Sequence, residues 1–89
     1  MTTPSVVKSL TKNKTIKKIF KVLFKEKQEG KPGLSISELS EKTGIERHRL
    51  VGILEVLTIL GLLVVFDIGM AKAFAPSIPL LRMKQFIRV

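Results

Sequence analysis

Residues 35–57, SISELSEKTGIERHRLVGILEVL, carry two helix starts, a glycine stop between them, and a basic first turn ahead of an apolar run. Ser35 and Glu38 stand in the S-x-x-E relation of a capping box, in which each side chain accepts a hydrogen bond from the other residue's backbone amide. Leu39 is the core residue of the short helix so begun, and Gly44 is its stop. Beyond that glycine, Leu50, Ile53, Leu54, Leu57 and Leu60 recur at helical spacing, which predicts a second helix over about 46–60. Arg47, His48 and Arg49 gather in its first turn.

Downstream of this pair, Gly61 falls where a helix needs a left-handed residue to end. Leu62 to Phe66 is short, continuous and valine-rich, as a buried strand would be. Leu62–Asp67 and Lys72–Ala75 then flank IGMA, which reads as a hairpin with Gly69 in the turn, closed by Pro76. The 17-residue run Leu50–Phe66 is interrupted by Gly52, Glu55, Thr58 and Gly61, so it divides into helix and strand rather than spanning a membrane, where about 20 apolar residues are needed. Upstream, Ile16, Ile19, Phe20, Leu23 and Phe24 form one apolar stripe, with Lys14, Lys17, Lys18, Lys21 and Lys25 opposite. Asn13 or Thr11 caps this amphipathic helix, and Gly30, Pro32 and Gly33 end it. The tail from Ser77 fits either a strand, by the alternation of Leu81, Met83, Ile87 and Val89, or a short helix begun by Ser77 and Pro79; the helix is chosen.

The chain has 89 residues with 16 Lys and Arg against 7 Asp and Glu, a net charge of +9 and no cysteine. That size supports one small domain. The charge favours a polyanionic partner. Without cysteine there is no disulfide or thiolate metal site, and Met1–Ser5 do not have the basic-then-apolar order of a secretory leader, so the reading is a cytoplasmic protein. One histidine without a carboxylate pair makes no metal set, and no glycine-rich phosphate loop or base-positioned nucleophile is present. Neither an enzyme nor a cofactor or small-molecule ligand is expected.

The order helix, short strand or turn, helix, glycine turn, longer helix, hairpin resembles the winged helix-turn-helix DNA-binding superfamily, in the style of small archaeal and bacterial transcriptional regulators. The resemblance covers residues 13–76 and rests on SISELSEKTGIERHRLVGILEVLTILGLL, in which Ser35, Leu39, Gly44, Ile45, Leu57, Leu60, Gly61 and Leu62 hold the pattern's places. It implies a mainly α fold with a small β-hairpin wing (α+β), flanked by an N-terminal extension (1–12) and a C-terminal segment (77–89). It also implies sequence-specific binding of double-stranded DNA, with the helix of about 46–60 in the major groove. Arg47 and Arg49 then reach guanine acceptors or phosphates, His48 does either, and Gly52 lets the backbone approach the duplex. The amide-rich helix end also favours phosphate.

Glu46 holds a cap position where Ser, Thr, Asp or Asn is usual. Its carboxylate repels phosphate and is expected to orient Arg49 or Lys42, the latter counted among the DNA-facing cations. Between Lys8 and Lys31 nine lysines face two glutamates, and of these Lys14, Lys17 and Lys18 are the expected phosphate contacts. The wing tip, Ile68–Gly69–Met70, offers only Lys72 nearby. Val51, Val56 and Ile59 fall outside the main apolar stripe, and with Leu81 and Phe86 they are the expected interface of a homodimer. The alternative reading is a protein-interaction module of the same fold, with the lysines as a solvated face.

Overall fold

The computed structural model describes residues 4–86, and among them five α-helices surround one three-stranded antiparallel sheet. The apolar stripes decide what packs on what. Helix α1 spans Pro4–Thr11 and α2 spans Lys14–Gln28. Asn13 caps α2, its Oδ1 accepting from the amides of Thr15 and Ile16 at 2.9 and 3.2 Å. The stripe of Ile19, Phe20, Leu23 and Phe24 is buried, with Ile16 packed at its margin and the lysines of the opposite face exposed. Residues 4–11, expected to be an extension, form α1 and contribute the fully buried Val7 to the same core. Their Val7/Leu10 spacing is too brief for a periodic signal.

Strand β1 (Leu34–Ser35) leads directly into α3 (Ile36–Thr43). Both arms of the capping box are formed: Ser35 Oγ accepts from the Glu38 amide at 3.2 Å, and Glu38 Oε1 accepts from the Ser35 amide at 3.1 Å. The turn into α4 (Arg47–Ile59) passes through Gly44 and is fixed by two hydroxyls. Thr43 Oγ1 donates to Leu39 O at 2.6 Å and accepts from the Ile45 amide at 3.3 Å, while Ser40 Oγ donates to Ile45 O at 2.7 Å. Helix α4 buries Leu50, Leu54 and Leu57.

At the end of α4, Gly61 has φ +76°. Its amide bonds Thr58 O, and the Leu62 amide bonds Leu57 O, both at 3.0 Å. This pair of bonds is the Schellman arrangement, which satisfies carbonyls the last turn would otherwise leave open. Strands β2 (Leu63–Ile68) and β3 (Ala71–Pro76) form the hairpin, and β3 lies between β1 and β2. Phe74 is paired with both Leu34 and Val65. A Cβ on Gly33 would sit 2.8 Å from Phe66 Cζ and 3.0 Å from Phe74 O, so only glycine admits that aromatic ring.

The C-terminal segment forms the expected short helix, α5 (Ile78–Arg82), followed by a 3₁₀ turn at Lys84–Phe86. Ser77 joins it to the rest of the fold: its amide donates to Leu62 O at 2.9 Å, its Oγ donates to Gly61 O at 2.7 Å and accepts from the Leu80 amide at 3.2 Å. Leu80 and Met83 enter the core and Leu81 packs against it. The segment thus closes its own chain's core, which removes the surplus that made Leu81 an expected dimer contact. The side chain of Phe86, and Ile87 and Val89, lie outside the described residues. Among the described residues no helix is long and apolar enough to cross a membrane.

Candidate nucleic-acid interface

The first turn of α4 is organised by Glu46. Its Oε1 accepts from the His48 amide and its Oε2 from the Arg49 amide, each at 3.1 Å, and the His48 ring places Nδ1 2.9 Å from Oε1. The backbone N–H of His48, then its ring and the Arg49 N–H, hold this carboxyl below the usual carboxylate range. Two expectations change here. The amides of His48 and Arg49 are occupied by a carboxylate of the same chain, so they do not form a phosphate cradle. Glu46 takes the amide of Arg49 rather than its guanidinium, and it does not pair with Lys42.

Lys42 instead forms an ion pair with Glu26 at 3.0 Å, linking α3 to α2, and the Glu26 side chain is only 11% exposed. The hydrogen bond from Lys42 is the main cause holding Glu26 below the ordinary carboxylate range. A cation committed to a nearly buried partner is a poor phosphate contact, because leaving would strand that carboxylate. Lys42 is therefore placed in the α2–α3 joint, beside Val22, Lys25 and Glu26.

The two arginines diverge. Arg49 leans toward the start of α2, its Nη2 donating to Thr15 Oγ1 at 3.4 Å. There it lines a cleft of about 440 Å³ with Lys14 and Lys18, floored by the Thr43–Glu46 turn. Arg47 leans the other way, Nη1 donating to Ser37 Oγ at 3.2 Å. It lines a second cleft of about 300 Å³ with Ser35, Met70, Ala71 and Lys72, between α3 and the hairpin. His48 stands exposed between them. The result is a cationic arc running from Lys14 and Lys18 through Arg49, His48 and Arg47 to Lys72. Lys17 is exposed but lines neither cleft. Thr15 and Ser37, which aim the arginines, carry no sequence signal because they lie 34 and 10 residues away.

Opposite the buried Leu50, Leu54 and Leu57, helical geometry presents His48, Gly52, Glu55 and Ile59, with Val56 beside them. Ile59 is 84% exposed and Val56 54%. Gly52 leaves a notch: a Cβ there would meet no atom within 4 Å. Val51 lies on one flank of this face. It is half-buried and lines a groove of about 380 Å³ between α4 and the sheet, with Ile59, Val65 and Phe74. On the other flank, Leu10, Ile16, Gly52, Ile53 and Val56 line a groove of about 410 Å³ whose mouth holds His48 and Arg49. The hairpin tip is apolar, with Met70 fully exposed and Ile68 half-exposed.

Among the described residues no three His, Asp or Glu side chains are grouped to hold a metal ion. In comparisons with known proteins, no family model matches the chain, and no curated protein or solved structure matches it significantly.

Proposed function

We propose that the chain is a winged helix-turn-helix protein of the cytoplasm that binds double-stranded DNA sequence-specifically as a small transcriptional regulator. The element order α2–β1–α3–α4–β2–β3, with β3 central in the sheet, supports the fold reading. The observation that carries the function is the cationic arc centred on the first turn of α4. In this reading Arg47 and His48 meet base edges in the major groove, whereas Arg49, Lys14 and Lys18 hold the flanking phosphates. Lys72 and the backbone of the hairpin approach the next phosphate. The Glu46 cap keeps the turn rigid, which limits the entropy lost when its side chains engage.

Titration with mixed-sequence and selected duplexes at increasing salt tests this. Affinity should fall linearly on a double-logarithmic plot, with a slope of about −3 to −4 if Arg49, Lys14, Lys18 and Lys72 contact phosphate. No binding at low salt, or a flat response, refutes the proposal. The exposed Val56, Ile59 and Met70 favour a second reading, a protein-interaction module, which would give that negative result.

A further inference from the structure

We propose that, without DNA, the outward face of α4 is covered by α4 of a second copy in an antiparallel two-fold crossing at Gly52, so that self-association and DNA binding compete for one face. The competition rests on the DNA reading above; the interface does not.

The face is divided along its length. Its N-terminal end is basic, with His48 and Arg49, and its C-terminal half holds Glu55, Val56 and Ile59. A duplex explains the first half only, since Glu55 repels phosphate and Val56 and Ile59 offer no donors to base edges. Among the described residues Glu55 makes no ion pair. A second copy explains both halves. Symmetry about Gly52 sets residues 48 and 49 of one helix opposite residues 56 and 55 of the other. Each basic turn then meets the partner's Glu55 and the two helix dipoles oppose, whereas a parallel arrangement would place cation on cation.

Shape agrees with charge. Gly52 is a poor helix former in the middle of a helix, and its missing side chain opens the helix surface where two backbones would cross. The 410 Å³ apolar groove beside it receives the partner's Val56 and Ile59, which stand out as a ridge. The dimer so formed buries His48 and Arg49, the residues the DNA reading needs, so each dissociated copy is the binding-competent form.

The test uses the absence of cysteine in the chain. Gly52→Cys puts one thiol at the crossing, where a disulfide needs Cα atoms roughly 4.4–6.8 Å apart, and Lys21→Cys puts one on the exposed lysine face of α2 as a control. With oxidised glutathione, Gly52→Cys should form an intermolecular disulfide at least about tenfold faster than Lys21→Cys, and the covalent dimer should lose duplex binding until reductant restores it. Equal rates overturn the interface, and a covalent dimer that binds duplex as well as its reduced form overturns the competition. Sedimentation without any cross-link gives the second arm: Ile59→Gln and Glu55→Arg, both at exposed positions, should each weaken self-association at least about tenfold, and unchanged sedimentation overturns the interface. A wild-type chain that binds no duplex refutes the DNA reading and the competition together, while the cross-linking ratio still decides the interface.

Discussion

Gly52→Ala should make the protein more stable and a weaker DNA binder at once. The residue lies in the exposed interior of a 13-residue helix, its φ is not positive, and a Cβ there meets nothing within 4 Å. The gain is therefore the bare propensity difference of about 0.8–1.0 kcal/mol. For a domain this small that raises Tm by roughly 4–8 °C. Gly61→Val is the opposite case: it also meets open space, but at φ +76°, where a side chain costs about 1–2 kcal/mol, more for a β-branched one. Thermal unfolding followed by far-UV circular dichroism, at concentrations too low for self-association, checks both signs. A Gly52→Ala variant with unchanged or lowered Tm would refute the reading of 47–59 as an unstrained helix with a free outer face. An unchanged duplex affinity would remove the close approach assigned to Gly52.

Arg47→Ala should reduce preference for a selected sequence more than binding to random duplex, whereas Lys14→Gln should weaken both equally and lower the salt slope by about one; competition titrations separate the two. Lys42→Gln should leave duplex affinity unchanged. Ser77→Ala removes a helix cap and the donor to Gly61 O, and should destabilise by about 1–2 kcal/mol in urea titration. Glu26 and Glu38 have carboxyls held below their ordinary range, chiefly by Lys42 and Lys31 respectively. The unfolded chain therefore binds their protons first, and stability present at neutral pH falls as the pH drops through and below the carboxylate range. Glu26→Gln should flatten that decline; an equally steep acid profile would show that the Glu26–Lys42 pair does not contribute to it.

The features legible in the sequence are those whose causes are local. The Ser35/Glu38 box, the stops at Gly44 and Gly61, and the buried stripe of α2 each follow from residues within one or two turns of each other, and each stands where expected. The features missed depend on distant partners. Nothing near Lys42 announces Glu26 across the α2–α3 joint, and nothing near Ser77 announces the carbonyl of Gly61, 16 residues earlier. Helix α1 was hidden for a different reason: eight residues with one fully buried valine acquire helical order from the core they cover rather than from their own pattern. At the candidate site the residue types of the α4 first turn were evident, but their directions were not. Divergence of Arg47 and Arg49 is set by Ser37 and Thr15, whose nearness is a property of the fold.

The distribution of lysine along α2 decides how much of the net charge a duplex can use. Lys14, Lys18, Lys21 and Lys25 follow one stripe of the helix, but only the first two line the cleft with Arg49. At 1.5 Å per residue, Lys21 and Lys25 lie about 4.5 and 10.5 Å beyond Lys18 along the axis, so Lys25 is further from the arc than the Debye length of about 8 Å at physiological ionic strength, and Lys21 is within it. Neither lines the cleft, so the proposed DNA reading assigns neither a phosphate contact nor a released counterion there. A salt slope set by contacts must then follow the four phosphate-holding cations of the arc rather than the net charge of +9. A slope near −8 would mean that the whole face of α2 lies on the duplex, and that the first turn of α4 is not the centre of the interface.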